Sequence, residues 1–363
     1  MTSHQGSSEG AFVKAAFGAK NRSRLIDAYF SMQVESGVTA PLAWSHVYRL
    51  LLWADQTTGL AHCYESDKAQ PGKNWYSRSL AFHDWVSTSL DVAPTKVAEE
   101  IDWLFRKATA DLATEVMRNA SRIAASASKQ RQPYEEKGFP KPGEDPELVS
   151  IVKEVLGGHL KQEPSAEAWQ QLVQRIRQYL ALENKRKNLV GEGFEDVLAH
   201  VIRLSCQASS LEVHTRRLLH ELPGFNRPKR GEKANKVDVA VIRPQMRTLV
   251  TAKWSVRADR EKQFAADFGD YLNAESDGKP FEYVFVTNEF DPARLMRACE
   301  KLAGNAPMFT YVVHINTDAL SATYGPAGEE SMRKVIEHID RGRLISLERW
   351  LATLSADRKA KAV

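Results

Sequence analysis

KVDVAVIRPQMRTLVTAKWSV, residues 236–256, reads as two apolar runs joined by the tight link RPQMR. β-Branched residues dominate both arms, which favours strands, and so short a link favours an antiparallel hairpin. Asp238 stands on the first arm and Lys253 fifteen residues later on the second. A hairpin brings the two side chains close together, and neither belongs cheaply in a sheet unless it is paired. Hydrolysis of a phosphodiester needs such a pair. The carboxylate holds a divalent cation, and the ammonium stabilises an attacking hydroxide or the extra negative charge on phosphorus. A lone Asp or Lys near a strand end is most often structural; their pairing across a hairpin shifts the balance toward chemistry.

Beyond the hairpin, FEYVFVTN (281–288) and FTYVVHIN (309–316) read as further strands. REKQFAADFGDYLNA (260–274) and PARLMRACEKLA (292–303) read as helices between them, and RLISLERWLATLSA (343–356) closes the pattern. Strands alternating with helices of this length predict an α/β fold, a mixed sheet covered by helices on both faces. Upstream, helical patterns occupy about 147–156, 165–183 and 192–206, and residues 11 to about 127 carry apolar residues at three- and four-residue spacings. Five tryptophans in that stretch, Trp44, Trp53, Trp75, Trp85 and Trp103, read as core packing. Four prolines and two glycines in QRQPYEEKGFPKPGEDPE (130–147) cannot sustain a helix or strand and set a boundary. The expected domains are 1–146, all helical, serving as a clamp on a partner or for dimerisation, and 147–363, carrying the sheet.

A hard cation wants more than one oxygen ligand. In 260–274 the apolar stripe is Phe264, Phe268, Tyr271 and Leu272, with Asp267 on its margin, able to face a cleft beside the sheet. In GEGFEDVLAHVIRLS (191–205) the inward residues are Phe194, Val197, Leu198, Val201 and Ile202, with Glu195 at the edge. Gly191 and Gly193 would let another backbone or a ligand approach closely. The structural alternative for Glu195 is an acid favoured at a helix N-terminus by the macrodipole.

Bulk properties exclude several classes. Hydrophobic residues make up 43% of the 363 and charged residues 26%, as in an ordinary soluble protein. The first residues lack the basic start and apolar core of a secretory signal, and no run approaches the length that spans a bilayer, so a cytoplasmic location is expected. Cys63, Cys206 and Cys299 lie far apart without CxxC spacing, which indicates neither a disulfide framework nor a zinc site; they are expected reduced and buried. His214, His220 and His314 lack metal-ligand spacing, and no GxxxxGK[ST] is present. A net charge of +4 permits a polyanionic partner without requiring one; the densest basic cluster is NRPKRGEK, 226–233.

The order Glu195, Asp238, Lys253 resembles the PD-(D/E)xK nuclease superfamily, and KWSVRADR resembles its type II restriction endonucleases that read a CCGG core. In that subgroup the lysine is followed, four positions later, by Arg, any residue, Asp, Arg; here these are Arg257, Asp259 and Arg260. The subgroup lacks the usual acid two places before the lysine and takes it from the following helix, fourteen residues after it. Thr251 and Asp267 occupy those two positions. The resemblance covers roughly 188–290, with Val237 where a proline commonly precedes the metal-binding Asp and Asp267 where a glutamate is expected. It implies a restriction-endonuclease-like mixed sheet flanked by helices, with Asp238 and Asp267 holding Mg²⁺. Glu195 would orient a second ion or its bound water, and Lys253 would assist the hydroxide. Arg257, Asp259 and Arg260 would read the bases, since Arg pairs with guanine O6 and N7 and a carboxylate accepts from the cytosine amino group. It further implies double-stranded DNA as substrate, ends with 5′-phosphate and 3′-hydroxyl, a homodimer or tetramer, and a cognate DNA methyltransferase acting on the same site. Two rivals remain open: another nuclease of the superfamily, for repair or methylated DNA, and a catalytically inactive DNA-binding protein.

Overall fold

A computed structural model describes residues 8–33, 37–55, 59–61, 74–137, 146–207, 210–229, 231, 234–256, 261–325 and 330–356. Its contacts divide the chain into two compact units, Met1–Arg22 with Lys107–Leu189, and Ser23–Arg106 with Val190–Val363. The linear division expected at 146/147 therefore differs from the folded one. The helical stretch 23–106 contributes to the same core as the sheet, and a helix expected in two pieces is one, α1 (Ala166–Ser205), with the division falling inside it.

The first unit is helical. The Asn21 amide donates to the Ala16 carbonyl at 2.8 Å and to Asp111 at 3.0 Å, and Trp169 on α1 is buried with the Lys153 ammonium 5.8 Å from its ring.

The second unit is α/β. Its six-stranded sheet comprises β1 (Glu212–Leu218), β2 (Lys236–Arg243), β3 (Met246–Lys253), β4 (Phe281–Thr287), β5 (Tyr311–His314) and β6 (Leu344–Ser346), lying side by side in chain order. β1, β2 and β3 are antiparallel neighbours, whereas β3 to β6 run parallel, which makes the sheet mixed as expected. Arg243 pairs with Met246 across a two-residue turn, so local chemistry alone sets the β2–β3 register. Tyr283, Val284, Phe285 and Val286 of β4 are all buried, the mark of a parallel strand covered on both faces.

Helices flank this sheet: α2 (Glu261–Ala274), α3 (Pro292–Glu300), α4 (Thr317–Tyr324), α5 (Glu330–Asp340) and α6 (Leu347–Ala356). α2 seats Phe264 against Phe285 at 5.3 Å, stacks Phe268 on Tyr283 at 5.6 Å and sets Tyr271 edge-on to Tyr283 at 5.4 Å. Leu272, expected in that stripe, is exposed, because at 100° per residue it stands about 80° from Phe264. The C-terminal half of α1 buries Phe194, Val197, Leu198, Val201 and Ile202 completely, each worth about 2 kcal/mol of transfer free energy. Phe194 meets Trp254 edge-on at 5.5 Å.

Other expectations are refined. The region read as all helical also contains a small antiparallel hairpin, Trp53–Asp55 with Gly59–Ala61. A Cβ at Gly191 would meet nothing within 4 Å, so close approach does not explain that glycine. Trp44 packs on Trp85 at 5.2 Å, Trp103 on Tyr29 at 5.4 Å, and Trp53 is buried, in keeping with core roles. Cys206 and Cys299 are free and buried, with burial pushing the Cys299 thiol up to about 12, which makes it inert as a nucleophile; Cys63 lies outside the described residues. No helix among the described residues is long and apolar enough to cross a membrane.

Candidate active site

Asp238 lies one residue beyond the last pairing of β2 with β3, Val239 with Val250. Continuing that register sets Asp238 opposite Thr251, and Lys253, two residues further along, shares their face. The contacts agree. Asp238 Oδ2 accepts from Lys253 Nζ at 2.6 Å, from the Ala252 backbone N–H at 2.9 Å and from Thr251 Oγ1 at 3.4 Å. Among the described residues nothing hydrogen-bonds to Oδ1. One oxygen of this carboxylate is thus saturated while the other remains available as a ligand.

Two further carboxylates feel its charge. Burial, and then Asp238, push Glu195 of α1 up to about 7, against the opposing pull of Arg216 and Lys253. The same two causes, burial first, push Asp267 of α2 up to about 6, with Lys253 opposing. The Tyr271 hydroxyl beside them is raised by burial and by Asp267, Asp238 and Asp270. The four residues that the sequence singled out for catalysis form one electrostatic cluster drawn from two strands and two helices.

Both carboxylates keep their protons in the folded chain at pH values where an unfolded chain has released them. The folded state binds more protons from the ordinary Glu value of 4.5 up to about 7, so its stability is full below that window and falls as pH rises through it. The metal-free protein should therefore show a denaturant midpoint that declines across this range, with Glu195→Gln flattening the decline. A midpoint that rises there would show that the carboxylates do not share charge.

Arg216 did not stand out in the sequence. It sits on β1 opposite Asp238, at the one position where the pairing with β2 lapses between Thr215–Val239 and Arg217–Val237. Its φ of 51° lies in the left-handed region, a strained conformation for a long side chain. The guanidinium donates to Glu195 Oε2 at 2.9 Å, to the Glu192 carbonyl at 3.3 Å and to Asp196. It thereby holds Glu195 against the sheet. EVHTRRL offered little to find it by, being polar on both faces.

Glu289 is the second residue that sequence reasoning missed. It follows β4, is 1% exposed, and accepts from the backbone N–H groups of Val256 at 2.7 Å, Phe290 at 3.0 Å and Asp291 at 2.8 Å, with Arg294 at 3.4 Å. The Asn288 N–H donates to the Trp254 carbonyl at 2.9 Å. The chain leaving β3 is thus tied to the chain leaving β4 up to the residue before Arg257. Glu289→Ala leaves three buried donors unsatisfied and should cost about 3 kcal/mol of stability, with Glu289→Gln costing less because an acceptor oxygen remains. Urea denaturation of the two variants measures this, and equal, negligible shifts would mean that these N–H groups find other acceptors. Arg257, Asp259 and Arg260 themselves lie outside the described residues.

A hard divalent cation suits this donor chemistry, since it would lower the pKa of the two raised carboxylates and use the available oxygen of Asp238. Among the described residues, however, no three His, Cys, Asp or Glu side chains converge at ligating distance. In this arrangement Lys253 and Arg216 balance the acids.

No known protein-family profile matches the chain, and no curated protein does. Among solved structures it is similar to "Metal-depleted Ecl18kI in complex with uncleaved, modified DNA", with 9% identity, 98% of this chain and 87% of that one covered, and a TM-score of 0.39. So slight a likeness carries no weight for function.

Proposed function

We propose that this protein is a Mg²⁺-dependent, site-specific double-strand DNA endonuclease of the type II restriction class. It reads a palindrome with a CCGG core and leaves 5′-phosphate and 3′-hydroxyl ends. The observation that carries this reading is the 2.6 Å pair of Lys253 Nζ with Asp238 Oδ2, beside two carboxylates whose pKa values burial and the Asp238 charge raise. Asp238 and Asp267 would hold the ion, with Glu195 beside them. When bound, Mg²⁺ would supply charge neutralisation at phosphorus and acidify water. Lys253 donates to negative charge developing on the scissile phosphate, and Glu195, which a bound cation would bring down from about 7 and keep ionised at neutral pH, is suited to accept a proton from water.

Arg257, Asp259 and Arg260 begin four residues after Lys253. Base reading and bond breaking are therefore carried by one short stretch, and correct pairing would draw the phosphate to the acids. A symmetric homodimer or tetramer presents one such trio to each half-site of a palindrome, and a host using this activity needs a DNA methyltransferase to protect its own sites.

Incubating supercoiled plasmid with the protein and Mg²⁺, then sequencing the cut ends, tests the reading. Discrete fragments ending at CCGG-containing sites are expected, and plasmid that stays supercoiled would overturn it. Thr251 in place of an acid, together with carboxylates that do not converge, favours a second reading, a DNA-binding protein without hydrolytic activity. The same assay separates the two.

A further inference from the structure

At the β1 edge of the sheet a groove of about 630 Å³ is lined by four cations, Arg203, Arg216, Arg217 and Lys236, and by His214, with Glu221 the one acid among its lining residues. Arg216 is committed to Glu195 and Asp196, and Arg203 donates to the Val213 carbonyl at 2.7 Å. The other two cations present their charge outward. The Arg217 side chain is 55% exposed and meets Glu221 only at 3.6 Å, an exposed pair worth under about 1 kcal/mol and readily exchanged for another anion. Lys236 is exposed and has no ion-pair partner among the described residues.

The register sets Lys236, opposite Leu218, on the face of Asp238 and Arg217, opposite Val237, on the other face, and the two cations meet in the groove at the β1 edge. Lys236 shares the face of Asp238 two residues away, about 7 Å along an extended strand. Phosphates on one DNA strand advance about 3.4 Å each along the helix axis, so two such steps span the same distance. We propose that this groove is a phosphate-binding subsite, in which Arg217 and Lys236 hold backbone phosphates of the DNA strand flanking the phosphate at the Asp238–Lys253 pair. It rests on the reading of the chain as acting on DNA, and it assigns the subsite a role that is independent of sequence. Cations on an edge strand also guard against strand-to-strand association, but that role leaves the salt dependence of DNA binding unchanged.

The experiment is a salt titration of duplex binding, without divalent metal, by fluorescence anisotropy. One duplex contains CCGG and one has a scrambled core. Each phosphate contact contributes about 0.9 to the slope of log K against log salt. The double variant Arg217→Gln/Lys236→Gln should therefore lose about 1.8 of slope, equally on both duplexes, and Lys236→Gln alone about half of that. The control Lys334→Gln/Arg341→Gln, a matched charge change at and after α5, should leave the slope unaltered. An unchanged slope in the groove variant, an equal change in the control, or a loss confined to the CCGG duplex would overturn the subsite. No cleavage is needed for this readout. A wild-type protein that cuts nothing while its groove variant still loses slope would leave the subsite standing and remove the nuclease.

Discussion

Asp238→Ala is expected to abolish DNA cleavage, by about 10³-fold or more, the scale seen when a preorganised charge at a reacting centre is removed. Duplex binding should survive, because the substitution takes away a negative charge rather than a contact to phosphate. The variant has a second signature. Asp238 raises both Glu195 and Asp267, so its removal should bring both pKa values down toward the ordinary carboxylate range, visible in a carbon-detected NMR titration of the side-chain carboxyls. Cleavage assays beside anisotropy measurements decide the matter. If Asp238→Ala protein linearises plasmid as fast as wild type, the carboxylate has no part in the chemistry.

Lys253→Met should be nearly as damaging to cleavage, with a different electrostatic trace. The ammonium counters Asp238 directly at 2.6 Å and lowers both Glu195 and Asp267. Without it the three acids repel one another with only Arg216 opposing at Glu195, and Glu195 should titrate above about 7. The pH dependence of residual cleavage should shift the same way. Because the two residues act as a unit, the Asp238→Ala/Lys253→Met double variant should be no slower than the worse single variant. Multiplicative losses would show that they act separately and would break the proposed pairing of roles.

What could be read in advance was local. The Asp238–Lys253 pair follows from a two-residue turn and the alternation of a strand, both written within residues 236–256. Asp267 was legible through the helical period after Phe264, and Leu272 was misplaced because a stripe drawn from four residues was wider than the face that packs. β1 escaped notice since an edge strand needs only one buried side, and Val213 is the sole residue of Glu212–Leu218 that is fully buried. Arg216 escaped with it.

The sequence by itself determined the hairpin, the residue types at the candidate site and the Arg–x–Asp–Arg string, because each is a matter of spacing along a few consecutive residues. Only the tertiary structure decided that Arg216 braces Glu195, that Glu289 collects backbone donors from two separate strand exits, and that residues 23–106 share a core with the sheet. Those facts depend on which distant segments exclude water together. That is a property of the packed chain as a whole, and no short window of residues encodes it.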